Sequence, residues 1–102
     1  SITTGEVTIE PDRRRVTVRG QEIELTPIEF DLLRTLASSP GRVFSRSELL
    51  DQIYSAPYEG YERTIDTHIK NLRRKIEADP HHPQLIETVY GIGYRFREPK
   101  SA

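Results

Sequence analysis

The sequence contains no cysteine, methionine or tryptophan, and its longest uninterrupted apolar runs are two residues long. Without cysteine there is no disulfide framework. Such short apolar runs exclude a transmembrane helix, which needs about 20 mostly apolar residues. No signal-peptide pattern is present either. We therefore expect a cytoplasmic domain with no membrane partner.

The sequence also lacks an excess of either charge, since its formal net charge is −1 over 102 residues. The signs are nevertheless segregated along the chain. Residues 63–75 hold five Lys or Arg and one Asp, whereas residues 48–62 hold four acids and no Lys or Arg. A local basic face of this kind binds phosphate even in a nearly neutral chain. We predict one domain over residues 6–98, with 1–5 as a linker remnant and 99–102 as a tail.

The first quarter of the chain has the two-residue periodicity of half-buried strands. Apolar side chains alternate with polar ones in three short segments: Val7 and Ile9, Val16 and Val18, and Ile23 and Leu25. Three strands that are apolar on one face need a packed helix to be stable. The sequence therefore predicts an antiparallel sheet covered by helices.

Two capping boxes mark the starts of two helices, at Thr26 with Glu29 and at Ser45 with Glu48. The first helix has Pro27 at its first position and stops at the turn residues 38–41. A brief strand is predicted at 42–44, between the two helices. After the second helix, residues 55–62 contain Pro, Gly and two of the five tyrosines, which predicts an exposed loop.

A third helix follows, in which Ile65, Ile69, Leu72 and Ile76 form one continuous apolar stripe. Polar and basic side chains occupy the other side at the same spacing: Arg63, Thr67, Lys70, Asn71 and Arg74. Asp79 before Pro80 predicts the end of this helix. Residues 86–97 then read as a hairpin with a glycine-flanked tip at 91–93, in which Tyr94 and Phe96 face the core and Arg95 and Arg97 face outward.

The predicted fold class is therefore α+β, with an N-terminal antiparallel sheet, three helices and a C-terminal β-hairpin wing. This order is typical of a winged helix-turn-helix, which binds DNA through a helix in the major groove. On chemistry alone, Asn71 suits adenine, Lys70 suits guanine, and the Thr67 methyl suits the thymine methyl. An alternative is a winged-helix module used for protein-protein docking through the same charged face.

Three segments resemble the effector domain of OmpR/PhoB-type response regulators: "ELTPIEFDLLRTLASSPGRVFSRSELLDQIY", "RTIDTHIKNLRRKIE" and "IETVYGIGYRF". The resemblance implies promoter DNA as partner, with two copies bound head to tail on direct-repeat half-sites. It also implies a receiver domain of the same chain, phosphorylated by a sensor kinase, which drives most of the dimerisation. The loop before the third helix would contact RNA polymerase, with a solvated surface loop as the alternative.

The resemblance implies a role for individual residues as well. The base-contacting candidates are Asp66, Thr67, Lys70 and Asn71. The candidates for backbone contact are Arg63, Thr64, His68, Arg74, Thr88, Tyr90 and Arg95, of which His68 fits either class. The polymerase-contacting candidates are Tyr58, Glu59, Tyr61 and Glu62. In the family the position of Tyr90 is often an arginine that enters the minor groove, so contact by the wing is a separate question from contact by the helix.

Enzymatic functions find little support. No phosphate-binding loop, nucleophile elbow or paired-carboxylate motif is present. Asp79, His81 and His82 lie together in a proline-flanked loop without the usual spacing of metal ligands. We expect no enzyme activity, no metal and no cofactor.

Overall fold

The computed structural model describes residues 1–53 and 63–99. Its elements follow in chain order: β1 (Ile2–Thr4), β2 (Val7–Glu10), β3 (Arg15–Val18), β4 (Gln21–Ile23), α1 (Pro27–Ala37), β5 (Phe44–Ser45), α2 (Arg46–Ile53), α3 (Arg63–Ile76), β6 (Ile86–Val89) and β7 (Gly93–Phe96). This is the predicted α+β winged-helix arrangement. Within the described ranges, no helix has both the length and the apolar character needed to cross a bilayer.

The N-terminal sheet is antiparallel in the order β1-β2-β3-β4. Val7 lies opposite Val18 and Ile9 opposite Val16, and all four side chains are buried against the helices. The sheet has one strand more than the three predicted, because Ile2–Thr4, in the segment expected to be a linker remnant, pairs with β2. The single apolar residue of that segment, Ile2, gives no periodicity that could predict a strand. Leu25 lies after the end of β4 rather than within it.

Both predicted capping boxes are formed. The Glu29 amide donates to Thr26 Oγ1 at 3.2 Å, and the Thr26 amide donates to Glu29 Oε1 at 3.0 Å. The Glu48 amide and the Ser45 amide make the same reciprocal pair, at 3.0 Å and 3.1 Å. Each box satisfies amide groups that a helix start otherwise leaves without a partner.

Helix α3 buries its predicted apolar stripe completely, with Ile65, Ile69, Leu72 and Ile76 at most 1% exposed. It ends at Ile76, earlier than the predicted boundary at Asp79 and Pro80. The next residue, Glu77, still donates its amide to the Arg73 carbonyl oxygen at 2.9 Å, and its side chain is buried. Its carboxylate accepts hydrogen bonds from the amides of residues 84–86, which ties the end of α3 to the start of β6 across the loop that contains Pro80.

The second sheet has the order β5-β7-β6, and its β6–β7 hairpin is the wing. The brief strand predicted at 42–44 begins only at Phe44, which pairs with Tyr94 of β7. Its neighbour Ser45 pairs with Gly93, where a Cβ would collide with the Phe44 carbonyl oxygen, so this close crossing requires glycine. Strand β6 ends at Val89, and Tyr90 belongs to the tip.

Candidate nucleic-acid interface

One face of α3 is open to solvent, directly opposite the buried stripe. Arg63, Thr67, Lys70 and Arg74 are exposed there, and Asn71 is half-buried at its margin. Residues at i, i+4, i+7 and i+11 share a helix face, so the sequence correctly predicted this row as the outward one. Lys70 and Arg74 make no ion pair with any residue that the structure describes, which leaves two cations available to a partner.

Asp66, the only acid in α3, lies on the flank of the helix that faces the wing. The Tyr94 hydroxyl donates to its Oδ1 at 2.6 Å, and Arg46 Nη1 donates to its Oδ2 at 3.1 Å. Burial and the bond to Asp66 raise the pKa of Tyr94 to about 12, so this hydroxyl remains a donor at neutral pH. Both carboxylate oxygens therefore have donors from within the protein, which sets Asp66 apart from its predicted companions Thr67, Lys70 and Asn71.

Thr64 and His68 occupy the opposite flank of α3, as the rotation of about 100° per residue requires. Both are half-buried. Neither lies in the outward row, so contact with a phosphate backbone would come from the edge of the face. This position agrees with their predicted role, which stays a prediction.

The charged side chains of the wing are paired with each other. Arg95 Nε donates to Glu87 Oε1 at 3.0 Å across the hairpin, so this predicted backbone contact is engaged within the protein. Thr88 Oγ1 accepts a hydrogen bond from Arg73. The most exposed wing residues are apolar or uncharged, with Tyr90 91% and Ile92 60% exposed. The wing tip is therefore a neutral projection beside a basic helix.

Tyr94 and Phe96 are buried on one face of β7, as predicted. Their neighbour Arg97 faces the other way and donates to Gln84 Oε1 at 2.6 Å. The alternation of the strand thus separates core side chains from surface ones. Neither aromatic ring is placed to stack on bases.

Two arginines beside the site have roles that the sequence did not suggest. Arg73 donates from Nε and Nη2 to the Ile86 carbonyl oxygen at 3.2 and 2.8 Å, and from Nη2 to Thr88 Oγ1 at 2.8 Å. Its guanidinium also lies 5.5 Å from the centre of the Tyr94 ring. The only signal in the sequence is that Arg73 shares a helix flank with Asp66. Arg46, which binds Asp66, precedes it by 20 residues and gives no signal at all.

The polymerase-contacting candidates Tyr58, Glu59, Tyr61 and Glu62 lie outside the described residues. In the loop between α3 and β6, His82 Nδ1 is hydrogen-bonded to Asp79 Oδ2 at 2.9 Å. Among the residues in ranges 1–53 and 63–99, no three His, Cys, Asp or Glu side chains cluster as metal ligands would.

Residues 20–96 match the family described as "Transcriptional regulatory protein, C terminal". The transcriptional regulatory protein BaeR of Escherichia coli is 48% identical over 88 residues, which cover 86% of this chain and 37% of BaeR. The response regulator MtrA of Mycolicibacterium smegmatis is 41% identical over 98 residues, which cover 96% of this chain and 43% of MtrA. The chain thus spans less than half the length of these curated relatives.

Solved structures give the same result for the fold. The DNA-binding domain of Klebsiella pneumoniae RstA in complex with the RstA box has a TM-score of 0.83 at 34% identity, over 94% of this chain and 95% of that one. The DNA-binding domain of AdeR in complex with an intercistronic region has a TM-score of 0.84 at 29% identity, over 97% and 100%. The Thermotoga maritima OmpR/PhoB homologue DrrB has a TM-score of 0.81 at 36% identity, over 91% and 42%.

Proposed function

Because this chain belongs to the C-terminal transcriptional regulatory family, as an OmpR/PhoB-type DNA-binding output domain, we propose that α3 reads promoter DNA in the major groove. The observation that carries the proposal is the outward face of α3. It presents Thr67, Lys70 and Asn71 between the cationic Arg63 and Arg74. An α-helix fits the major groove, where each base pair displays a distinct pattern of donors and acceptors.

Lys70 and Asn71 are the proposed base readers. The Lys70 ammonium donates to guanine O6 or N7, and the Asn71 amide pairs with the N6 and N7 of adenine. The Thr67 methyl packs on a thymine methyl. Lys70 and Thr67 are exposed, which supports access to a groove without rearrangement of the fold.

The proposed backbone contacts surround these readers. Arg63 and Arg74 bind phosphates from the outward face, with Thr64 and His68 at its edge. On the wing, Tyr90 lies against the sugar-phosphate backbone, and the Thr88 hydroxyl and Arg95 reach phosphates from the hairpin. Contacts of this kind fix the register on the duplex but carry no sequence information.

An amide chemical-shift titration with a short duplex at two salt concentrations tests the proposal. The duplex is one recovered by selection from a random-sequence pool. We expect shifts focused on residues 63–74 and 88–93 that weaken at the higher salt, because phosphate contacts release counterions. Shifts that are absent from α3 would instead support the protein-docking function.

Alanine variants locate base readout within this face. Lys70→Ala and Asn71→Ala should each cost about 1–3 kcal/mol on the selected site and change the preferred base at one position. Arg34→Ala is the matched control, since Arg34 is an exposed arginine of α1 outside the face. A loss that is equal on all sequences would contradict base readout by Lys70 and Asn71.

We further propose that the longer protein carries a phosphorylated receiver domain, that two copies bind direct-repeat half-sites, and that residues 58–62 contact RNA polymerase. The support for these partners is the match of three sequence segments to one class of regulator. Replacing Glu59 and Tyr61 together by alanine should lower transcription from a target promoter in vitro while leaving DNA affinity unchanged. Equal loss of both would contradict the polymerase contact.

A further inference from the structure

We propose that Asp66 is a positioning residue, which together with Arg46, Arg73 and Tyr94 fixes the wing relative to α3. This assignment replaces the base-contacting role that the sequence predicted for Asp66. It rests on the proposed function, because it describes how two parts of one DNA-binding surface are held in register. The experiment below separates its failure from a failure of that function.

The first link joins α3 to β7 and α2. Tyr94 of β7 donates to Asp66 Oδ1 at 2.6 Å, a short bond of the charge-assisted kind. Arg46, the first residue of α2, donates to Oδ2 at 3.1 Å. The two donors come from opposite sides in the chain, 20 residues before and 28 residues after Asp66. A carboxylate held at both oxygens is fixed in one orientation.

The second link joins the same flank of α3 to β6, about two helical turns further along the helix. Arg73 follows Asp66 by seven residues and so projects from the same side of the helix. Its guanidinium binds the Ile86 carbonyl oxygen and the Thr88 hydroxyl, and it packs beside the Tyr94 ring. Both wing strands are therefore tied to one flank of α3 by polar groups.

Charge explains why Asp66 needs Arg46. A lone carboxylate beside the exposed Lys70 and Arg74 would repel the phosphates that these cations attract. The Arg46 guanidinium at 3.1 Å offsets that charge locally. The result is a joint between helix and wing in which Arg46 neutralises Asp66, so that the carboxylate does not cancel the positive charge of the outward face.

The test is a double-mutant cycle in this chain, with Tyr94→Phe and Asp66→Ala alone and combined. Affinity is measured for the duplex selected from a random pool and for duplexes that carry each single base-pair change. We expect each single variant to weaken binding about three- to tenfold on every duplex, with base preferences unchanged. The affinity of the double variant should be no lower than that of the weaker-binding single variant, because both substitutions break the same hydrogen bond between Tyr94 and Asp66.

Asp66→Asn provides the conservative rescue. Its side-chain oxygen can still accept from Tyr94, so we expect binding within about threefold of the parent chain. Thermal unfolding of each variant identifies any loss of affinity that merely follows a loss of fold. A change of base preference in Asp66→Ala, with no effect of Tyr94→Phe, would show that Asp66 reads a base and would overturn the proposal.

A second readout does not involve DNA. In the free protein, Tyr94→Phe and Asp66→Ala should shift the same amides of residues 86–96, whereas Lys70→Ala should leave them in place. Unchanged wing amides in both variants would overturn the joint. If the parent chain bound no duplex selectively, the proposed function would fail, while these amide shifts would still decide whether Asp66 positions the wing.

Discussion

The outward face of α3 and the wing lie side by side, yet they differ in whether their charged side chains are paired within the protein. Lys70 and Arg74 on the helix make no ion pair with the described part of the protein. On the wing, Arg95 is paired with Glu87, and the projecting tip residues Tyr90 and Ile92 carry no charge. In the proposed complex, the helix therefore supplies most of the electrostatic attraction for DNA, and the uncharged wing tip contributes through its shape.

This difference predicts different sensitivities to salt. Each phosphate neutralised by a cation contributes about −0.9 to the slope of log K against log salt concentration. Contacts by Tyr90 and Ile92 through van der Waals packing contribute nothing to that slope. The salt dependence of DNA binding should hence come mainly from α3, and variants of α3 and of the wing tip should be separable by that measurement.

The largest expected effect comes from removing the support beneath the helix face. Leu72 is fully buried under α3, so Leu72→Ala should lower the free energy of unfolding by about 2–5 kcal/mol. Urea unfolding measures the loss. Thr67→Ala, on the exposed side of the same helix, is the control and should change stability by less than about 1 kcal/mol. Equal losses would contradict the division of α3 into a buried and an outward side.

Removing a helix cation should weaken binding uniformly across sequences. Arg74→Ala should cost about 1 kcal/mol and reduce the magnitude of the salt slope by about 0.9. Arg34→Ala on α1 controls for the change in net charge. Titrations at several salt concentrations provide the slopes, and an unchanged slope for Arg74→Ala would mean that Arg74 meets no phosphate.

Adding a cation to the wing should make it resemble the helix. Tyr90→Arg should increase affinity by about fivefold and steepen the salt slope, because an arginine at the tip is attracted by a narrow minor groove. Tyr90→Leu, which keeps the tip uncharged, should leave the slope as it is. If both variants behaved alike, the tip would lie away from the DNA.

The smallest expected effect concerns the attachment of α3 to α1. Burial tends to raise the pKa of Glu29, but the hydrogen bonds from Lys75 and the Thr26 amide outweigh it, so the pKa lies below its ordinary value of 4.5. A lowered pKa stabilises the fold above about pH 4.5, and this stabilisation is lost as the pH falls through the pKa of the folded state.

Glu29→Gln keeps an oxygen for the capping box but loses the charge that faces Lys75. It should lower stability by up to about 1 kcal/mol at pH 7 and by less at pH 3, because the stabilisation declines as the pH falls toward and through the pKa of the folded state. Urea unfolding at both pH values measures the difference, with the exposed Glu24→Gln as control. A gap that stayed constant with pH would show that the pair with Lys75 is not responsible.

Much of the fold was predictable because its signals are local. Each capping box joins residues three apart, and the buried stripe of α3 follows from helix geometry alone. The alternation of apolar and polar residues predicted strands β2, β3 and β7, and it predicted that Tyr94 faces the core. By contrast, β1 offered only Ile2 as a signal, and its pairing with β2 depends on the sheet that is already there.

The sequence by itself determined where the helices begin, which side of α3 is buried and which row of side chains faces outward, because these depend on residues within four positions of each other. Only the tertiary structure decided that Glu77, after the end of α3, binds the amides of residues 84–86 and that Asp66 binds Tyr94 and Arg46. Those contacts join residues 7 to 28 positions apart, from Glu77 with Gln84 to Asp66 with Tyr94. No periodicity encodes such a pairing, since it exists only once the wing has folded back beside the helix.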